Sequence, residues 1–304
     1  MNTFSIQLLI LLLPGLAGPS NSKPLIYTSF DPLTCFAERI GGDLIEVVCP
    51  VPSGDDPTSW KPSRETIQAM QRADLVLVNG ARFERWVEQV SLPRATLVDV
   101  SRPFRGQFLQ LPSVRAHSHG PEGARAHEGV DGHTWLDPRL AARQAEQIRK
   151  ALALLLPEEA ARIDDNCRSL LSDLDGLDGA HRRLAERLGE TPLLASHPAY
   201  QYVARRYGWK LRSLDLHPDA VPDAEGRAAL RSVLAEHPAR IILFESEPAL
   251  ELAELLRSEF GLRCVLFSPA ESPPPGPREP GQDYFSVMTA NLERLAEALE
   301  RLDR

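Results

Sequence analysis

From Lys23 onward the chain alternates short, β-branched apolar runs with stretches of helical spacing, and this pattern constrains its fold more than any other feature. Parallel strands are buried on both faces and need a crossover helix to bring the chain back, so the alternation predicts parallel sheets covered by helices. In the first half, residues 25–28, 44–48, 75–78 and 96–98 read as strands, and residues 33–40 and 64–72 as helices. In the second half, residues 193–195, Leu211, 241–244 and 264–267 read as strands, with helices over 200–206, 224–236 and 250–260. An amphipathic helix over 284–302 closes the chain.

Between the two halves, helical periodicity follows Asp137-Pro138 to Leu155 and resumes from about Glu158 to Leu188, with apolar residues at Ile163, Leu170, Leu171, Leu174, Leu177 and Leu184. A helix of that length crosses a molecule. The expected fold class is α/β: two lobes with parallel sheets flanked by helices, joined by one long backbone helix. The expected boundaries are an N-terminal lobe over 23–155, a connecting helix over 156–190 and a C-terminal lobe over 191–304. Residues 102–131 read as irregular, and 268–282 are too rich in proline for regular structure. No repeat of fixed period is visible.

Residues 1–22 carry no charged side chain and hold an apolar run too short to span a bilayer, which suits an export signal. The expected location is therefore periplasmic or secreted, as a soluble protein. Pro19 follows Leu16-Ala17-Gly18 where a lipoprotein signal would need cysteine, so no lipoprotein cysteine is expected there. Across all 304 residues, 34 Lys and Arg against 42 Asp and Glu leave a net charge of −8, with no dense basic run to meet nucleic-acid phosphates. Small ligands or proteins fit better as partners, and a monomer is expected. Cys35, Cys49, Cys167 and Cys264 lack metal-ligand spacing; Cys35 with Cys49 is the pairing that neighbouring elements could bring together.

Ligands of open α/β sheets bind beyond the carboxyl ends of strands, so polar residues just after strands are the first candidates. His197 follows the strand at 193–195, His133 stands at the entrance to a helix in Gly132-His133-Thr134-Trp135, and Asp283 stands where the proline-rich segment meets the last helix. Two imidazoles and a carboxylate suit a borderline divalent metal such as zinc. Taken singly, each residue also reads as a helix cap or a surface group. Four of the eight histidines fall between His117 and His133, and a His-rich loop over 115–133 suits transient metal capture or plain solvation. Glu245 and Glu247, after the strand at 241–244, read either as acceptors that orient a histidine ring or as helix N-terminal acids.

Five ordered stretches carry a resemblance. They are Gly54 through Ser63, Ala73 through Gly80, Gly132 through Pro138, Ser196-His197-Pro198-Ala199-Tyr200 with Ala204 through Gly208, and Gly281 through Met288 with Asn291-Leu292. In these the chain resembles the zinc and manganese solute-binding proteins of ABC transporters. The resemblance implies a metal held by side chains of both lobes, a stiff connecting helix with small motions, and delivery to a membrane permease whose ATPase is a separate chain. Consistent with that, no phosphate-binding G-x-x-x-x-G-K-[ST] occurs here.

Carried over by motif, His133, His197 and Asp283 match the second, third and fourth ligands. The first departs: the family's Asp-Pro-His-x-Tyr-x-Pro reads Asp56-Pro57-Thr58-Ser59-Trp60-Lys61-Pro62, with Thr58 in place of histidine. A neutral hydroxyl is a poor zinc ligand. Three readings stay open: water fills that position; Asp55, Asp56 or a loop histidine swings in; or high-affinity binding has been lost. Two nitrogen donors favour zinc over manganese, which prefers more oxygen. The rivals are a secreted zinc metallohydrolase, with a carboxylate such as Glu245 as base, and an adhesin-like relative that needs no metal.

Overall fold

A computed structural model describes residues 22–111, 129–272 and 282–302. The expected signal segment, most of the His-rich loop and most of the proline-rich segment lie outside the described residues. The first lobe holds strands β1 (Leu25–Thr28), β2 (Glu46–Val48), β3 (Leu75–Val78) and β4 (Leu97–Asp99), with helices α1 (Asp31–Gly41) and α2 (Arg64–Gln71). A short antiparallel pair follows, β5 (Gln110–Leu111) with β6 (Gly129–Val130), inside the stretch read from sequence as irregular. Two-residue strands carry too little alternation to be seen in advance.

Helices α3 (Pro138–Leu155) and α4 (Ala160–Leu188) come next. Asp137 caps α3 by accepting the Arg139 N–H at 2.9 Å, and Pro138 occupies the first turn, where its missing N–H costs nothing. The second lobe holds β7 (Pro192–Ala195), α5 (Gln201–Tyr207), β8 (Lys210–Ser213), α6 (Ala224–Glu236), β9 (Ile241–Phe244), α7 (Leu250–Phe260), β10 (Arg263–Leu266) and α8 (Tyr284–Glu300).

Both four-stranded sheets are wholly parallel, ordered β2-β1-β3-β4 and β10-β9-β7-β8. Read from the other edge, the second sheet is β8-β7-β9-β10, the same winding as the first. The lobes thus repeat one topology without repeating sequence. In each, the winding direction reverses between the first and third strands, and a crevice opens beyond their carboxyl ends. In the second lobe that crevice lies between β7, followed by His197, and β9, followed by Glu245.

The 29-residue α4 extends about 44 Å. Its buried positions Ile163, Cys167, Leu170, Leu174, Leu177, His181, Leu184 and Leu188 alternate steps of four and three, which keeps one stripe facing its neighbours. Those neighbours are α1 and α3 of the first lobe and α8 of the second, and α1 and α8 also touch through Phe36 and Tyr284. A single apolar cluster consequently runs from Ile26 and Phe36 through the α4 stripe to Leu193, Leu243 and Leu295.

Buried Asp178 on α4 adds a polar clamp. It accepts bonds from Arg139 of α3 (3.1 Å), from Arg182, and from Arg206 and Tyr207 of α5 (2.9 and 2.8 Å). Burial pushes its carboxyl up, but the Arg206 and Tyr207 bonds outweigh burial and hold it low. All four cysteines are free thiols, so the Cys35–Cys49 bridge is not formed.

His181, one turn beyond Leu177, stacks on Tyr207 at 5.0 Å and donates from Nδ1 to the Leu177 carbonyl at 3.0 Å. Burial pulls its imidazole from the ordinary 6.5 down to about 4. Its neutral form therefore stabilises the fold fully above pH 6.5, and that contribution is lost as pH falls toward 4. Between pH 7 and pH 5 this one group is expected to remove about 2 kcal/mol from the unfolding free energy. Urea unfolding of His181→Phe should show a correspondingly shallower acid loss; identical pH dependence in both proteins would contradict the assignment.

Candidate metal centre

The end of β3 builds the platform for His133. Asn79 donates from its amide to the Gly132 carbonyl (2.9 Å), and its Oδ1 accepts from Thr134 Oγ1 (3.0 Å) and Gln144 Nε2 (2.7 Å). Gly132 must be glycine for space, since a Cβ there would sit 2.9 Å from the Phe83 side chain. Asp131 Oδ1 then takes both the His133 backbone N–H (2.9 Å) and ring Nδ1 (2.8 Å). That bond fixes the ring's tautomer and turns Nε2 outward, the usual carboxylate–histidine arrangement behind a metal ligand.

His133 Nε2 lies 3.0 Å from Glu271 Oε1, which follows β10 in the other lobe. His197 Nε2 lies 2.7 Å from Glu245 Oε1. The two imidazole rings are 6.2 Å apart between centroids. One donor atom each from His133, His197 and Glu245 falls within a sphere of mutual distances no greater than 4.8 Å. A tetrahedral ion with bonds of ~2.0–2.1 Å sets its donors about 3.3 Å apart, so only small adjustments would wrap these groups around one.

Contacts across the cleft hold the two halves of this cluster together. Trp135 Nε1 donates to the Pro269 carbonyl at 2.7 Å, two residues from Glu271, and Tyr284 OH donates to the Trp135 carbonyl at 2.7 Å. Tyr202 OH of the second lobe donates to the Asp131 carbonyl at 2.9 Å. Asn291 of α8 grips the strand end after β10 twice, accepting from the Ser268 N–H and donating to its carbonyl. The motif aromatics thus serve the walls: Tyr284 is fully buried, and Trp60 lines the cleft edge-on to Trp86.

The charge balance is acidic. Burial drives the Glu271 carboxyl up, the bond to His133 draws it back, and the negative charges of Glu245 and Asp56 push it further up. For His133, burial resists protonation, but Asp131 and Glu271 outweigh it and raise the imidazole well above its ordinary range. A divalent cation would neutralise this carboxylate cluster while displacing the shared proton. The cluster opens into a cleft of about 770 Å³ whose walls include Asp56 and Thr58 of the first lobe and Asp215 and His217 of the second.

Sequence reasoning and structure part at two residues. Asp283, carried over as a ligand, is not in the cluster; it caps α8, its Oδ1 accepting the Ser286 N–H at 2.9 Å. The carboxylate that does lie against His133 Nε2 is Glu271, which sequence reasoning missed. Glu271 obeys the rule that found His197, standing five residues beyond a strand's carboxyl end, but the surrounding prolines disguised it as plain loop. Of the two glutamates after β9, Glu245 joins the donors and Glu247 is exposed.

Fold and site together define a two-lobed α/β binding protein with a cleft suited to a divalent cation. The profile of the periplasmic zinc-uptake complex component A family, ZnuA, matches residues 26–298, and the chain belongs to that family. It is 28% identical over 291 residues to the high-affinity zinc uptake system protein ZnuA of Bacillus subtilis, covering 94% of this chain and 90% of that one. It is also 28% identical over 289 residues to the zinc-binding lipoprotein AdcA of Streptococcus pneumoniae, covering 93% of this chain. The chain spans 57% of AdcA's length. The solved Zn(II)-bound ZnuA-like domain of the pneumococcal AdcA superimposes with a TM-score of 0.77 at 26% identity, covering 92% of this chain and all of that one.

Because Asp131 orients His133 from behind, Asp131→Ala should leave the fold intact and weaken divalent metal binding roughly 10–100-fold. A chelator competition assay reads this directly; unaltered affinity would remove Asp131 from the site.

Proposed function

We propose that this chain captures zinc outside the cytoplasm and delivers it to the permease of an ABC transporter, with His133, His197, Glu245 and Glu271 as ligands. The observation that carries the proposal is the convergence of His133, His197 and Glu245 donor atoms at the switch-point crevice, with Glu271 bonded to His133 from the same side. The zinc-binding relatives support zinc as cargo. So does the donor set, whose two imidazoles suit zinc better than manganese. The protein acts as a monomeric carrier, and ATP chemistry belongs to its partner.

The hydrolase alternative needs a carboxylate standing off the metal as base. Glu245, its candidate, sits against His197 Nε2 among the donors instead. The continuous core through α4 favours capture with small lobe motions.

A competitive zinc titration of chelator-stripped protein should show one tight equivalent. His197→Ala should abolish tight binding, and Glu271→Ala should weaken it at least tenfold. Asp283→Ala should leave zinc affinity within about twofold while costing about 1 kcal/mol of stability as a lost helix cap. Tight binding that survives His197→Ala, or that disappears in Asp283→Ala, contradicts the proposed ligand set.

A further inference from the structure

The family's first ligand position holds Thr58, and the structure shows what that threonine does. Its Oγ1 and its backbone N–H both donate to the same oxygen, Asp56 Oδ1, at 2.6 and 2.8 Å. The Ser59 and Trp60 N–H groups close the turn onto the Asp56 carbonyl at 3.2 and 2.9 Å. Thr58 therefore serves as a clamp on a carboxylate. The turn is also tied across the cleft: Ser272, next to Glu271, donates from its hydroxyl to the Asp55 carbonyl at 2.7 Å. Asp56, Thr58, His133, His197, Glu245 and Glu271 all face the same cleft, and the Asp56 charge is felt at Glu271.

Resting on the zinc-capture reading, we propose that Asp56, aimed by Thr58, is the donor that the segment between β2 and α2 contributes to the bound metal, in place of a histidine. An anionic oxygen is a far better partner for a divalent ion than a threonine hydroxyl, and the paired bonds to Oδ1 preset the carboxylate's direction before metal arrives. Thr58 is then a positioning residue. The consequence is a donor set richer in oxygen than a three-histidine site, which narrows the preference for zinc over manganese because harder ions gain from oxygen donors.

Asp56→Asn is the sharpest test, because the amide oxygen can still accept both Thr58 bonds and keep the turn, while the charge is gone. Zinc affinity, measured by chelator competition on the full chain, is expected to fall about tenfold or more in Asp56→Asn, with an unchanged thermal midpoint. Asp55→Asn, whose carbonyl and not its carboxylate is used, should stay within twofold of wild type. In the Asp56→Asn background, Thr58→His should restore zinc affinity and raise the zinc-to-manganese affinity ratio above that of wild type. Zinc-edge X-ray absorption should lose one oxygen scatterer in Asp56→Asn.

Wild-type affinity in Asp56→Asn, beside lost binding in His197→Ala, overturns this proposal and leaves zinc capture standing. Wild-type affinity in both variants overturns the capture site itself. Absence of saturable zinc binding by the unaltered protein at micromolar concentration overturns both.

Discussion

Everything in this molecule depends on one helix face being buried against the helices that cover both sheets. The heptad-like stripe of α4 packs on α1 and α3 of the first lobe and α8 of the second, so neither lobe completes its core without the helix. The Asp178 clamp reinforces that link with bonds to α3 and α5. With the lobes so joined, the carboxyl edges of both sheets face one cleft, and groups from distant parts of the chain meet there.

Among the described residues the site is held by non-covalent bonds between lobes, all four cysteines being free. Asp131 anchors His133 on the first lobe, Trp135 and Tyr202 reach across to or from the second, and Glu271 closes on His133 from beyond β10. Two imidazoles among several carboxylates in a partly buried cleft form a field that a divalent cation relieves.

The fold was largely legible in the sequence because burial on both faces leaves a strong mark: β3 and β9 are unbroken apolar runs, and α6 and α7 have clear periodicity and bounds. The β5–β6 pair was not legible, being two residues on each side. His133 and His197 were readable because each follows a recognisable structural cue, a helix entrance and a strand end. Asp283 was read as a ligand from its motif, yet an acid ahead of a helix looks the same whether it binds metal or caps the helix, and the structure places it at the cap of α8, bonded to the Ser286 N–H and outside the donor group around His133. Glu271 was hidden by its prolines. Thr58 was readable as a departure, but its role required seeing which oxygen it bonds.

Diffraction from zinc-soaked crystals, collected on both sides of the zinc absorption edge, tests the central claim most directly. The account predicts one dominant anomalous peak in the cleft, within bonding distance of His133 Nε2, His197 Nε2 and a carboxylate oxygen of Glu245 or Glu271. A dominant peak at Asp283, at a surface histidine, or anywhere that leaves His133 still bonded to Glu271 would contradict it.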